Sequence, residues 1–190
     1  VYGNNFTFSI NPSYLIHNQV KLFANYGTGF KVPTLTQLYG PFGANEDLEP
    51  EESTSTEAGI QFVSSDKNWN VRATWFNREI ENVIVYTTGY LNQDKLNDHG
   101  VEVETSYTTN RLTITGFYAY VDGEITTQSG AGSETKPNDL LRRPKHSVGL
   151  NIGYRVSDEL FASLNFKTFG ERNDVFFDLN TFTSSPVVLE

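Results

Sequence analysis

Cysteine and methionine are absent from the 190 residues. Without thiols there is no disulfide framework and no thiolate metal centre, and cysteine usage leaves no trace of the redox compartment. Long apolar runs are missing too, and no stretch approaches the roughly 20 residues that a membrane-crossing helix needs. Basic residues are scarce: 14 Lys and Arg stand against 23 Asp and Glu, a net charge of −9, which argues against nucleic acid as a partner. A secretory leader pattern is also lacking, and Val1 falls in the middle of an alternating pattern. The sequence is therefore expected to be part of a longer chain.

Aromatic residues are plentiful, at 14%, although the hydrophobic fraction is only 37%. They sit in alternating runs. Phe6, Phe8, Ile10, Tyr14 and Ile16 fall on one face of an extended chain, with Thr7, Ser9, Asn11 and Ser13 on the other. After the short link His17-Asn18-Gln19, Val20, Leu22, Ala24 and Tyr26 alternate with Lys21 and Asn25, and Phe23 breaks the rule. This reads as an antiparallel hairpin with one apolar and one polar face. The pattern recurs at 58–62, 69–75, 101–107, 112–120, 148–154 and 160–166, and Phe117 is a second exception. Val187 and Leu189 read as the start of a ninth strand. Gly27, Gly29 and Pro33 are expected to end the second strand. Asn77-Arg78-Glu79 interrupts the apolar face, so Val83–Thr87 reads as a separate piece, and 92–100 as a weak middle.

Short turns at 17–19, 64–68, 109–111 and 157–159 alternate with long polar connections at 34–53, 86–92, 122–139 and 170–185. A β-sandwich shows the same strand alternation. The asymmetry of its connections is that of a transmembrane barrel, with short periplasmic turns and long outer loops. A transmembrane strand needs only alternate residues apolar over about 9–11 positions, which mean hydropathy misses. Phe6 and Tyr14 share a face and stand roughly 20 Å apart along the membrane normal, close to the height of an apolar band. Trp69, Tyr107 and Tyr154 lie next to short turns, as an inner aromatic girdle does. The fold expected is all-β: an antiparallel, up-and-down transmembrane β-barrel fragment of about nine strands.

Several segments resemble TonB-dependent outer-membrane receptors: A-N-Y-G-T-G-F-K-V-P-T-L-T-Q-L-Y-G at 24–40, N-E-D-L-E-P-E-E-S-T-S-T-E-A-G at 45–59, the run at 77–84, H-G-V-E-V-E at 99–104 and L-L-R-R-P-K-H at 140–146. Their order and spacing resemble the C-terminal half of the family barrel, with the nearest likeness to the cobalamin (vitamin B12) receptor branch. The resemblance implies one partial barrel domain over 1–190, drawn from a 22-stranded barrel. The plug domain, its coupling box, the first half of the barrel and the closing strands would then lie outside this sequence. It further implies a Gram-negative outer membrane, its lipid, the TonB energy-coupling complex reached through the plug, a cargo of cobalamin or a ferric siderophore, and a surface lipoprotein as a further partner. No catalytic residue, cofactor or metal is implied.

Ligand contact in such receptors comes from outer loops and the upper lumen, which singles out Tyr39, Phe42, Tyr90, Phe176 and Phe177. An outer-membrane barrel enzyme of lipase or protease type, or a passive porin, is the competing reading. The enzyme's best candidate is His99 with Asp98 or Asp94, a base with its orienter. His17 and His146 lack partners at metal-ligand spacing. The acidic run Glu46, Asp47, Glu49, Glu51, Glu52 lacks the ordered alternation of a calcium loop and reads as solvated. Of the adjacent Arg142 and Arg143, only one can face inward, and pairing with Asp98, Glu102 or Glu104 on a neighbour is expected.

Overall fold

The computed structural model describes residues 2–86, 88–128, 135–140, 142–178 and 183–189; the side chains of 94, 127, 128, 135–139, 175–178, 183–186 and 189 are not among those described. Among the described residues, twelve strands and one short helix follow in order: β1 (Ser9–Ile10), β2 (Ser13–His17), β3 (Val20–Lys31), α1 (Leu35–Tyr39), β4 (Glu51–Val63), β5 (Trp69–Tyr86), β6 (Tyr90–Thr108), β7 (Leu112–Gln128), β8 (Thr135–Asp139), β9 (His146–Arg155), β10 (Phe161–Phe169), β11 (Arg172–Asp178) and β12 (Thr183–Leu189). All pairings are antiparallel, in the sheet order β1-β3-β4-β5-β6-β7-β9-β10. β2 continues β1 along β3, and β8 lies on the upper part of β7. β11 and β12 form a second, two-stranded sheet. This is an up-and-down meander, in which neighbours in sequence are neighbours in space.

Cross-strand register sorts the side chains into rows. On one face run Trp69, Tyr107, Ile114, Ile152 and Leu164; then Leu22, Ile60, Ala73, Val103, Tyr118 and Val148; then Ala24, Ala58, Trp75, Val101, Tyr120 and His146. Among the described residues nothing covers these rows: Ile60 is 45%, Trp75 46% and Leu164 62% exposed. The few buried apolar residues among those described, Leu38, Leu48, Leu96 and Leu140, lie elsewhere. A sandwich would bury this face; here it forms a bare apolar band. From Leu112 to Tyr120 the band stands roughly 20 Å tall at a tilt of about 40°. Trp69 and Tyr107 stack at the turn end with ring centroids 4.7 Å apart.

The opposite face is polar. One row runs Lys21, Gln61, Arg72, Glu104, Phe117, Gly149 and Lys167. A cleft of about 670 Å³ draws on Gln61 from β4, Arg72 from β5, Glu104 from β6 and Lys167 from β10, so the sheet curls toward its polar side.

The strands outrun the band. β5, β6 and β7 have 18, 19 and 17 residues, against about 9–11 for a crossing. Val83 belongs to the same strand as Trp69, and the weak middle of β6 is regular ladder. The expected outer loop 86–92 is therefore only the tip of a hairpin, and much of 122–139 and 170–185 is strand as well. Above the band the outer face carries Thr54, Glu79, Asn97 and Glu124. With water on both faces, alternation loses its hydrophobic signal although the backbone ladder continues. Pro33, and neither Gly27 nor Gly29, ends β3. Ile16 does not join the apolar face by simple alternation, because a register shift between Leu15 and His17 sets His17 opposite Val20.

The short turns are held by side chains. In the 64–68 turn the Asp66 carboxylate accepts from the Ser64 hydroxyl and from Asn68 N–H at 3.1 Å. These bonds, that from Ser64 first, hold its acidity below the ordinary aspartate value. A depressed carboxyl stabilises the turn above its unfolded pKa, and that contribution is lost as pH falls through the lower folded value. Ser64→Ala should move the Asp66 titration, followed by carboxyl carbon NMR, upward toward the ordinary value; an unmoved midpoint would contradict the assignment.

Candidate ligand-binding face

Asp98 is the most buried ionisable group among the described residues, 2% exposed, on the polar face of β6. Arg78, its cross-strand partner on β5, grips it through Nε at 3.0 Å and through Nη2. Arg143, from the connection ahead of β9, donates to the same carboxylate through Nη1. Both guanidinium groups remain partly open to a cleft of about 430 Å³, which Glu57, Glu102 and Ser147 also line. A buried carboxylate needs such partners, and here it accepts a forked pair from Arg78 and one bond from Arg143. Arg142 turns away, with φ 60, and pairs with Asp174 at 3.0 Å. The two arginines thus part as expected, and Arg143 is the one that takes Asp98.

His99 points to the other face, in the row Tyr26, Thr56, Asn77, His99, Asp122. A histidine and an aspartate adjacent on one strand cannot meet, so the base-and-orienter pair His99–Asp98 is not formed. The side chain of Asp94 lies outside the described residues. Among the described residues, no cluster of three His, Asp or Glu is arranged to hold a metal ion.

The two aromatic exceptions have a common explanation. Phe23 lies opposite Gly59, and Phe117 opposite Gly149. Phe76 repeats the device against Gly100. A Cβ on Gly59 would stand 2.2 Å from the Phe23 ring, and one on Gly149 would stand 2.1 Å from that of Phe117. Each ring lies flat over the neighbouring glycine, covering backbone that would otherwise face the lumen side bare. Cations cap these rings: Arg72 sits 4.3 Å over Phe23, and Lys167 5.9 Å over Phe117 and 4.9 Å over Phe169. A large residue breaking the polar face directly opposite a glycine is the signal that sequence reading overlooked.

The upper end is built around the segment 32–51. Thr34 caps α1, accepting from Gln37 N–H, while Gln37 accepts from Thr34 N–H at 2.7 Å. This capping box is written in the sequence as T-L-T-Q after Pro33, a helix signal within what reads as loop. Beyond α1 the chain is strapped to the β5–β6 hairpin. Tyr90 N–H donates to the Gly43 carbonyl at 2.7 Å, and Asn45 Nδ2 to the Tyr90 carbonyl at 3.1 Å. Glu49 N–H donates to Asn92 Oδ1 at 2.8 Å, and Ile84 N–H to Glu51 Oε1 at 2.9 Å. Tyr2 closes the strap by donating to the carbonyl of Leu48, which is 2% exposed. Glu51 also pairs with Lys31 at 2.8 Å.

Of the five sequence candidates, the strap gathers Phe42 and Tyr90 at one tip, where Tyr86 and Tyr90 meet edge to face at 5.0 Å. Tyr39 ends α1 nearby in sequence and is 64% exposed; Phe42 is 78% exposed. Phe176 and Phe177 belong to β11, and their side chains lie outside the described residues. Gly43 makes the strap possible: its φ is 62, and a Cβ there would stand 2.6 Å from Gly89 Cα. Gly43→Val should lift the strap from the tip. Limited proteolysis within 40–48 should speed up at least about tenfold, while the melting of the sheet stays near that of the parent. Equal cleavage rates would show that the strap is not held there.

The fold recurs in known proteins. The family model described as TonB dependent receptor-like, beta-barrel, matches residues 1–189. Among solved structures, the ferric-catecholate import receptor Fiu of E. coli K12 is 19% identical with a TM-score of 0.73, over 98% of this chain and 28% of that one. The pyoverdine outer membrane receptor FpvA of Pseudomonas aeruginosa PAO1 is 16% identical with a TM-score of 0.72, over 95% and 27%. The copper transporter OprC is 16% identical with a TM-score of 0.70, over 86% and 25%. At such identity the likeness is one of fold, and the chain spans between a quarter and a third of the length of each. The antiparallel sheet is thus a portion of a β-barrel wall, and the chain belongs to the TonB-dependent receptor-like β-barrel family.

Proposed function

We propose that this chain forms part of the wall of an outer-membrane importer in a Gram-negative bacterium, which captures a large scarce nutrient and passes it inward on force delivered by TonB. The observation that carries this reading is the two-sided sheet: a bare apolar band outside and a polar, charged, concave face inside. Lipid suits the first and a wet lumen the second. The plug domain through which TonB would pull lies outside this chain, as do the remaining strands. The work is binding and gated passage, without bond making; His99 and Asp98 stand on opposite faces of β6, so that pair forms no base and orienter. A surface lipoprotein would meet the upper tip.

The cargo is best taken as a ferric siderophore. Two of the solved neighbours are named for such cargo, and the third, named for copper, shows how freely the fold changes cargo. Cobalamin, suggested by the sequence segments, is the second candidate. Tyr39, Phe42 and Tyr90 are proposed as the upper contacts, and Phe176 and Phe177 as those of the next hairpin. The test is a titration of the purified full-length receptor with ferric catecholate, ferric hydroxamate and cobalamin, together with growth of a deletion strain on each. Saturable binding of one cargo, with growth on that cargo lost in the deletion strain, supports the reading. Binding of none, with growth unimpaired, would refute it.

A further inference from the structure

The strap sets three carboxylates beside the aromatic tip. Glu46 and Asp47 directly follow Asn45, whose side chain holds the Tyr90 carbonyl at 3.1 Å. Glu49 is tied to Asn92 twice, through its N–H at 2.8 Å and its carbonyl at 2.9 Å. All three side chains are exposed, and none forms an ion pair among the described residues. The cations nearby are already matched: Lys31 pairs with Glu51, and Lys95 with Glu79.

The cleft on the polar face repeats the imbalance. Arg78 and Arg143 are both committed to Asp98, while Glu57 and Glu102 line the same cleft without an ion pair. Above the band, every described Lys and Arg except Arg172 stands in an ion pair. From the tip down to the cleft, the uncommitted charge is negative.

Charge separates the chemistries by which a small molecule can carry iron. Three hydroxamates lose one proton each and neutralise Fe(III); three catecholates lose two each and leave the complex threefold negative. Such an anion would enter among carboxylates whose neighbouring cations are taken, and it would be repelled. A complex neutral at the metal with a free ammonium on its tail meets the opposite field. The largely exposed rings of Tyr39 and Phe42 offer that ammonium a π face next to the carboxylates.

We propose that the tip selects a ferric trihydroxamate bearing a free ammonium and turns away the ferric tris-catecholate, with Glu46, Asp47 and Glu49 setting the preference. The proposal rests on the siderophore-importer reading above and names the cargo within it.

The experiment uses the purified full-length receptor and a charge series on one chelate. A linear ferric trihydroxamate is taken with its terminal amine free, acetylated or succinylated, so that the tail is cationic, neutral or anionic on the same metal core. A ferric tris-catecholate is the fourth probe, and quenching of tryptophan fluorescence reads binding. At low salt the free amine should bind about tenfold tighter than the succinylated form, with the acetylated form between them, and the gap should close at high salt. The triple variant Glu46→Gln/Asp47→Asn/Glu49→Gln leaves the strap's bonds in place, because residues 47 and 49 enter them through main-chain atoms. It should bring the three forms within about threefold of one another. Heat-modifiable gel mobility checks that it is a folded barrel; if it is not, the salt dependence of the parent decides. Equal affinity across the series, preference for the anionic tail, tightest binding of the tris-catecholate, or a gap that neither salt nor the folded variant narrows overturns the proposal and leaves the importer standing. Binding of cobalamin alone does the same. Binding of none of these, with growth of the deletion strain unimpaired on all, overturns the importer reading as well.

Discussion

Asp98→Ala should be among the most damaging single substitutions in the sheet, lowering stability by about 3 kcal/mol. The reason is the arrangement of charge. One carboxylate, 2% exposed, holds two guanidinium groups that are themselves 39% and 43% exposed. Removing it leaves two cations facing each other across a small cleft with no anion between them. Their access to water keeps the loss toward the lower end of the range for broken buried pairs. Removing one arginine should cost less, because the other still holds the carboxylate. The double variant Arg78→Ala/Asp98→Ala should therefore cost less than the sum of its parts, the sign of a shared interaction. Thermal melting of the receptor in detergent, followed by loss of β-sheet circular dichroism, provides the measurement. Additive losses would mean that the three groups do not act as a unit.

The second large effect concerns glycines beneath phenyl rings, where two positions should behave in opposite ways. At Gly149 the three nearest atoms to an added Cβ all belong to the Phe117 ring, at 2.1, 2.7 and 2.8 Å. At Gly100 the nearest is the carbonyl oxygen of Tyr120, at 2.0 Å, and the Phe76 ring comes second at 2.7 Å. A ring can swing aside, whereas a ladder carbonyl cannot move without parting two strands. Gly149→Ala should cost about 1–3 kcal/mol, and Phe117→Leu should suppress much of that loss. Gly100→Ala should cost more, and Phe76→Leu should not rescue it. Yield of heat-modifiable barrel, with and without the second substitution, reads this directly. Rescue at both positions, or at neither, would contradict the geometry.

The lower half of the sheet is legible in the sequence because oil on one side and water on the other write alternation into every strand. Leu22, Ile60, Trp75, Val101 and Leu150 announce their face, and the short turns announce where each strand reverses. Above the band that script stops. Glu79, Asn97 and Glu124 face water on the outside, so nothing in their polarity marks them as strand, and the ladder through 92–100 reads only as a weak middle. The Asp98 clamp is hidden for a related reason. Arg78 and Asp98 pair because both stand ten residues from the hairpin tip at Thr88, and that tip is fixed only when the whole of β5 and β6 is taken as one hairpin. Phe23 and Phe117 looked like errors in alternation until their glycine partners lay across from them. Of the proposed contacts, Phe42 and Tyr90 follow from loop position alone, while the strap beside them depends on the partners that Asn45, Glu51 and Asn92 find across the chain, which no local pattern spells out.

That strap has an evolutionary consequence. Its grip on the hairpin uses few side chains: one bond is wholly main-chain, from Tyr90 N–H to the Gly43 carbonyl, and the others run through Asn45, Glu51 and Asn92. Side chains at 39, 42, 46 and 47 can accordingly be exchanged while the pose persists, so long as Gly43, Asn45, Glu51 and Asn92 survive. A lineage under selection at this surface could repaint the patch one mutation at a time without rebuilding what lies beneath.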